Sequence, residues 1–168
     1  LSNDQGQAVE INSTGWKIID DPPVNFIRLP SQRPMPLPLP GGTLNDFRPF
    51  INTETEEDFI MTLSFLTFSL HPKGPYSVLV LDGEGGSCKS TGAHVMKSIV
   101  DPSLAVNFAK PKNIQNVFVN AANTWLVTYD NLSEIKPWFS DALCQLATGG
   151  SHGAKKLYTD ADEFQIIV

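Results

Sequence analysis

The chain has 168 residues, of which 41% are hydrophobic, and this composition predicts a globular domain rather than a disordered chain. Its formal net charge of −6 argues against a surface that wraps nucleic acid by bulk electrostatics, so any contact with DNA would have to be local. The sequence has two cysteines, three scattered histidines, no apolar run of membrane-spanning length and no signal-peptide pattern, which predicts a cytoplasmic protein without disulfides, a zinc cluster or membrane contact.

A small β-hairpin is predicted near the start of the chain. Val9 and Ile11 alternate with polar residues, a turn cluster follows at 12–15, and residues 16–19 favour a second short strand. No chemical motif occurs in this part of the sequence, so we assign it no function.

A proline-dense strap is predicted to follow, over residues 30–42. Each proline fixes φ and removes a backbone donor, so this stretch is expected to be extended. An SH3-type ligand is the alternative interpretation. The strap completes an N-terminal region, 1–42, which precedes a core domain of residues 43–168.

The core domain is predicted to begin with a helix. Thr53 and Glu56 form a candidate capping box. Apolar residues then recur at helical spacing and favour a broad face that packs against a sheet. These residues are Phe59, Leu63, Leu66 and Leu70.

Strands and helices are predicted to alternate after this helix. The patterns favour strands at 76–81 and 125–130, helices at 89–100 and 113–121, and a short extended piece at 105–108. Such alternation predicts an α/β fold with a mostly parallel sheet flanked by helices.

A glycine-rich loop between the first of these strands and the next helix is the most informative segment. It has the phosphate-binding pattern G-x-x-x-x-G-K-[ST], except that Cys88 stands where the second glycine belongs. Glycines let backbone N–H groups turn toward phosphate oxygens, Lys89 can reach the β- and γ-phosphates, and Ser90 can supply an oxygen to Mg²⁺. The alternative is an ordinary strand-to-helix turn. The predicted ATP site comprises Gly83, Glu84, Gly85, Gly86, Ser87, Cys88, Lys89, Ser90 and Thr91.

Cys88 has two expected consequences. Its side chain can crowd bound phosphates, and the backbone freedom of glycine is lost there. We therefore expect the loop to keep its shape while nucleotide affinity falls.

A second nucleotide-binding pattern ends the strand predicted at 125–130. Asp130 would accept a hydrogen bond from water on the Mg²⁺ that Ser90 holds; the alternative is an aspartate that caps the next helix. Asn131 stands where many ATPases have a glutamate, and it can orient a water but cannot act as a base. Glu84 and Glu134 are candidate bases, so the sequence predicts Asp130 and Asn131 as catalytic residues and leaves the base open.

Four motifs in order give the sequence a family resemblance. GEGGSCKST is followed by YDNLS at 129–133, SDALCQLATGG at 140–150 and KKLYTDADEF at 155–164. From about Gly15 onward the chain resembles the ATPase domain of phage, plasmid and integrated-element DNA primase–helicases, a group similar to the superfamily III helicases. The resemblance implies a P-loop NTPase fold with a C-terminal β-hairpin, and ATP and Mg²⁺ as cofactors at Ser90 and Asp130.

The resemblance also implies a contact with single-stranded DNA. In helicases of this type the stretch that matches 149–164 is a β-hairpin in the channel of a homo-oligomeric ring. His152, Lys155 and Lys156 are the candidate DNA-binding residues; Lys155 stands where an arginine is usual and lacks its bidentate fork. A solvated turn is the alternative.

The resemblance further implies that the chain is a fragment. It begins without a methionine and stops before a strand that follows in this group and lies between the two predicted strands. Unpaired strand edges at that gap would favour aggregation, rearrangement or pairing with another copy.

The expected function is the ATP-binding or ATPase portion of a DNA helicase (primase–helicase) in mobile-element or phage replication, the isolated piece lacking full ATPase activity. The first alternative is a nucleotide-binding module that contacts DNA without hydrolysis, because Cys88 and Asn131 depart from the pattern of an active ATPase. The second alternative is a small nucleotide kinase. No arginine follows the loop to clamp phosphates, which argues against the kinase.

Overall fold

The computed structural model describes residues 3–26, 30–149, 151–155 and 163–167. The strands are β1 (Ala8–Asn12), β2 (Gly15–Ile19), β3 (Ser151–Lys155) and β4 (Glu163–Ile167). The helices are a 3₁₀ helix (Leu44–Phe50), α1 (Glu56–Phe68), α2 (Lys89–Val100), α3 (Ile114–Ala122) and α4 (Pro137–Ala147). In the described residues the strands form two antiparallel pairs, β1 with β2 and β3 with β4.

The N-terminal hairpin is present and has one apolar face. Its register pairs Val9 with Ile18 and Ile11 with Trp16, so these four side chains lie on the same side of the two strands. Ile11 is 66% exposed and Trp16 is 45% exposed, so this face is largely in contact with solvent.

The proline-dense strap is anchored at its start. The N–H of Arg33 donates to the carbonyl of Pro102 at 2.8 Å, and the N–H of Leu104 donates to the carbonyl of Ser31 at 2.7 Å. Beyond this anchor, residues 33–39 run without helix or sheet. Because the prolines from 34 to 40 recur at every second position, no pair of them has the P-x-x-P spacing of an SH3-type ligand.

Helix α1 begins two residues later than the sequence predicts. The N-cap is Thr55 rather than Thr53: its Oγ1 accepts a hydrogen bond from the N–H of Asp58 at 3.1 Å and donates to that carboxylate at 2.7 Å. Asp58 lies in the first helical turn, where a carboxylate also faces the positive end of the helix dipole. Both threonines have an acidic residue three positions later, so the sequence alone did not separate the two caps.

Helices α1 and α2 and the 3₁₀ helix share the larger hydrophobic core. Gly92 allows α2 to pack closely against Ile51, because a Cβ at this position would lie 3.0 Å from Cδ1 of Ile51. Burying each large apolar side chain contributes about 1.5–3 kcal/mol, so this cluster supplies much of the stability around α2. Its buried members are Phe47, Ile51, Phe59, Leu63, Leu66, Met96 and Val100.

A smaller core lies between α3 and α4. Val117, Phe118, Phe139 and Ala142 are buried there, and Tyr129 packs against them. The two cores are the apolar framework on which the loops around residues 83–90 and 130 are placed.

The predicted fold class is wrong. Segments 76–81 and 125–130 belong to no sheet in the described residues, residues 125 and 126 form a bend, and the only described pairing of the second segment is a single parallel bridge between Phe108 and Tyr129. The backbone of residues 77–82 forms no hydrogen bond within the described part of the chain. The described residues therefore do not form the α/β P-loop NTPase fold with a mostly parallel sheet.

The physical reason is that a short apolar run reports side-chain burial and not backbone pairing. Leu79 and Leu81 pack against the larger core, which satisfies the pattern, while a strand also needs a neighbour about 4.8 Å away. Instead, both segments line one cavity of about 1300 Å³.

Candidate functional site

The glycine-rich loop closes around the side chain of Lys89. The ammonium Nζ donates to the carbonyls of Gly83 and Glu84, both at 2.7 Å, and to Oγ of Ser87 at 3.0 Å. Gly83 has φ 148° and Gly86 has φ 84°, which are conformations that favour glycine. The lysine therefore already lies at the centre of the loop, satisfied by the carbonyls of the loop itself.

Cys88 has a backbone conformation typical of glycine. Its φ of 63° is left-handed, and it is the N-cap of α2 without a side-chain hydrogen bond to the helix. For a residue with a Cβ this conformation costs roughly 1–2 kcal/mol. The local shape that the second glycine would give is thus retained at Cys88.

Several backbone N–H groups of the loop and of the first turn of α2 have no acceptor. Within the described chain the N–H of Ser87 bonds the carbonyl of Glu84, but its neighbours on both sides make no such bond. Unpaired N–H groups at a helix start, together with the helix dipole, form a site suited to an anion. These groups belong to Gly85, Gly86, Cys88, Lys89, Ser90 and Thr91.

Ser90 and Asp130 are brought together although they are far apart in sequence. Oγ of Ser90 donates to Oδ1 of Asp130 at 3.0 Å, and the N–H of Asn131 donates to the same oxygen at 2.9 Å. The next helix, α4, begins at Pro137 with Lys136 as its N-cap. Asp130 is therefore not a cap of that helix.

Two residues that the sequence analysis did not select also belong to this cluster. Nδ2 of Asn107 lies 2.7 Å from Nε2 of His94 and 3.4 Å from Oδ2 of Asp130. Oδ1 of Asn107 is buried and has no hydrogen-bond partner among the described residues. No sequence motif marks these two residues: the bridge from Phe108 to Tyr129 is what places Asn107 beside Asp130.

The segment that carries Asp130 is held by a buried ion pair. Lys97 and Asp101 are 1% and 5% exposed, and Nζ of Lys97 donates to the Asp101 carboxylate at 2.9 Å and to the carbonyl of Leu126 at 2.6 Å. The same carboxylate accepts from the N–H groups of Trp125 at 2.9 Å and Leu126 at 3.2 Å. Both ends of α2 are consequently tied to residues 125–130.

Tyr129, next to Asp130, is fixed by the smaller core. Its ring makes an edge contact with Phe139, with centroids 5.3 Å apart, and Asn120 donates to its hydroxyl at 3.3 Å. Burial raises the pKa of the Tyr129 phenol, and the Asn120 hydrogen bond opposes this only in part. The phenol therefore stays neutral at physiological pH.

Neither candidate base contacts Asp130. Glu134 is 59% exposed and pairs with Lys110 at 3.9 Å and Lys136 at 3.7 Å, which makes it part of a surface ion-pair group. Glu84 is exposed, and the contact it makes to Lys89 is through its carbonyl. Asn131 is exposed with φ 55°, a left-handed conformation that asparagine tolerates.

The donor set around Asp130 suits a hydrated hard cation better than a transition metal. A hydroxyl, a carboxylate and an amide are the oxygen-bearing groups present at this point. Nowhere in the described ranges do three His, Cys, Asp or Glu side chains gather as a metal cage. Any Mg²⁺ here would thus need oxygens from a ligand or water as well.

The predicted DNA-binding residues lie at the edge of the described structure. His152 and Lys155 belong to β3, whose side chains are outside the described residues, and Lys156 is itself outside them. Their role in DNA binding stays a prediction.

Among the helices that the structure describes, none has the length and apolar character needed to cross a membrane.

Taken together, the glycine-rich loop, its lysine and the facing carboxylate define a candidate phosphate and cation site on a largely helical scaffold. A family model described as "Actinomycete integrative conjugative element replication protein" matches residues 44–167. The chain therefore belongs to this family of replication proteins, RepA, of integrative conjugative elements. This confirms a role in mobile-element replication. Comparisons with the curated proteins and with the solved structures find no match.

Proposed function

We propose that this replication protein binds a nucleoside triphosphate, with ATP as the expected one, through the loop from Gly83 to Thr91. The observation that carries the proposal is the contact of 3.0 Å between Ser90 and Asp130, beside a loop whose N–H groups lack acceptors. Binding would serve replication of the mobile element, as the nucleotide-dependent part of a DNA helicase.

The loop would hold the phosphates through its own backbone. Unpaired N–H groups at the start of α2 supply donors, and Lys89 would exchange its carbonyl partners for phosphate oxygens. That exchange lowers the net gain, because the ammonium is already satisfied without ligand. Affinity is therefore expected to be modest.

Ser90 and Asp130 would hold Mg²⁺. The ion supplies positive charge that neutralises the β- and γ-phosphates. Ser90 must turn its hydroxyl hydrogen away from Asp130 to present a lone pair, and Asp130 keeps the N–H of Asn131 as a partner. The carboxylate is thus not left unpaired by the change.

Nucleotide binding without hydrolysis is the second candidate function. The observation that favours it is the lack of any contact between Asp130 and the carboxylates of Glu84 or Glu134 in the part of the chain that the structure describes. Asn131 can orient a water but cannot take its proton. Under this alternative the nucleotide would act as a switch for the replication protein.

A titration of the folded chain with Mg–ATP, followed by calorimetry, tests the proposal. A charge-assisted contact is worth about 1.5–3 kcal/mol, so Lys89→Ala should weaken binding roughly 10- to 100-fold. Lys112→Ala, an exposed lysine outside the cavity, is the matched control and should bind as the parent does. Equal affinities for the parent and Lys89→Ala would remove the proposed site.

Phosphate release in the same samples separates the two candidates. Release that disappears in Asp130→Asn supports hydrolysis. Binding without release in the parent supports the switch.

A further inference from the structure

We infer that Asn107 and His94 are part of the same site, with Asn107 as the residue that positions the Asp130 carboxylate for a divalent cation and His94 as the residue that orients Asn107. The inference rests on the proposed function, since it assigns these residues to the cation that accompanies the nucleotide. It follows from the hydrogen bonds and from one unsatisfied atom.

Asn107 contacts the carboxylate oxygen of Asp130 that Ser90 does not contact. Oδ1 of the carboxylate is held by Ser90 and Asn131, while Nδ2 of Asn107 is the described donor to Oδ2, at 3.4 Å. With both oxygens engaged, the plane of the carboxylate is fixed. A fixed plane is what a small, hydrated cation with near-ideal octahedral geometry needs from its ligand.

His94 determines which way the Asn107 amide points. An amide nitrogen has two hydrogens, and here one faces Nε2 of His94 at 2.7 Å and the other faces Asp130. Nε2 must then be the acceptor, so the ring carries its hydrogen on Nδ1. Loss of the imidazole would leave the amide free to rotate its oxygen toward Asp130.

The orientation has a cost, which indicates a role beyond packing. Oδ1 of Asn107 is buried without a partner among the described residues. An apolar residue of the same shape would have no such orphan oxygen and would favour the fold. Unsatisfied groups of this kind are uncommon in native proteins and concentrate at functional sites.

The site is continuous with the glycine-rich loop. Asn107 lines the same cavity as Lys89, Ser90 and Asp130, and His94 lies on α2 one turn after Ser90. Hydrogen bonds and close polar contacts therefore connect four side chains in one continuous group that joins α2, residues 105–108 and the end of the segment 125–130. In order of contact these are Ser90, Asp130, Asn107 and His94.

The decisive variant is Asn107→Leu, which keeps the shape and removes both the donor and the orphan oxygen. Its affinity for ATP is measured with excess Mg²⁺ and with EDTA, alongside the urea midpoint of unfolding. We expect the Mg²⁺-dependent gain in affinity to fall about 10-fold, as for other residues that support a metal ligand. ATP binding in EDTA should be unchanged, and the urea midpoint should stay equal or rise.

His94 is tested through a conservative pair. His94→Gln keeps an acceptor for the Asn107 amide and should preserve the Mg²⁺ dependence, whereas His94→Ala should lose part of it. Gln115→Ala, an exposed amide on α3, is the control for a change far from the cluster and should behave as the parent.

The outcomes separate the two proposals. Parent protein that fails to bind ATP overturns the proposed function and this role with it. Parent protein that binds, with Asn107→Leu showing the same Mg²⁺ dependence, overturns the role of Asn107 alone. A loss of affinity that is equal with Mg²⁺ and EDTA, or a fall in stability for both Asn107→Leu and His94→Gln, makes Asn107 a structural residue and also overturns it.

Discussion

Cys88 is strained in a way that glycine would not be. The left-handed backbone at this position, φ 63°, is required by the turn into α2, and the thiol contributes only a long contact of 3.8 Å to the carbonyl of Gly86. The cysteine is therefore held by the loop rather than stabilising it. The shape of the loop at this residue therefore does not depend on the thiol.

Replacing Cys88 by glycine should stabilise the protein. Relief of the left-handed conformation gains roughly 1–2 kcal/mol, and the entropy of glycine in the unfolded chain offsets about 0.5–1 kcal/mol of it. The expected net gain is about 0.5–1 kcal/mol in the free energy of urea unfolding. Ser87→Gly is the neighbouring control and should destabilise, because the Ser87 hydroxyl contacts both Lys89 and the carbonyl of Glu84. A destabilised Cys88→Gly would show that the turn does not need this conformation.

Helix α2 connects the loop to the core through both of its ends. Its first turn meets Asp130 through Ser90, and its last turn meets Trp125 and Leu126 through the Lys97–Asp101 pair. A buried pair of charges is a weak source of net stability, but the loss of one member leaves the other charge unpaired. The pair therefore fixes the position of the end of α2 relative to residues 125 and 126.

Asp101→Ala should be strongly destabilising. It would leave the ammonium of Lys97 buried and remove the acceptor of two backbone N–H groups, so we expect a loss of about 3–5 kcal/mol in urea unfolding. Glu10→Ala breaks the exposed pair of Lys17 with Glu10, 3.3 Å apart, and should change stability by less than about 1 kcal/mol. Similar effects for the two variants would mean that the Lys97 ammonium finds water or another partner.

The elements that sequence could predict are those fixed by local spacing. Helix α2 spans Lys89–Val100, as predicted, because its apolar positions and the preceding glycine loop are both visible along the chain. The strands predicted at 76–81 and 125–130 are wrong, because neither segment belongs to a sheet in the described residues. The pairing of a strand depends on a neighbour elsewhere in the chain, and a local apolar run does not specify one.

The residues of the candidate site likewise fall into those that a local motif predicts and those that only the tertiary structure brings together. Lys89, Ser90 and Asp130 are visible because their types and spacing match a known chemistry, and the contact of Ser90 with Asp130 is present in the structure. Asn107 and His94 carry no motif. Their proximity comes from the parallel bridge between Phe108 and Tyr129, which is a feature of tertiary structure alone.

At the scale of the whole molecule, two apolar cores flank a large cavity. Along one side of the cavity, Leu79 and Leu81 pack into the larger core, while Val78 and Val80 are 51% and 62% exposed. Exposed apolar surface next to unpaired backbone groups is a common cause of self-association. The molecule should therefore bind apolar dyes and associate at high concentration.

Val80→Lys tests whether this exposed apolar surface causes dye binding and self-association. A charge at residue 80 should lower the fluorescence of bound anilinonaphthalene sulfonate and reduce association in sedimentation velocity. Stability should change by no more than about 0.5 kcal/mol, as for other surface substitutions. Leu79→Lys, one residue earlier, should instead destabilise by at least about 2 kcal/mol and raise dye binding, because it places a charge against the larger core. Equal effects of the two variants would mean that residues 78–81 do not alternate between a face toward the core and a face toward the cavity.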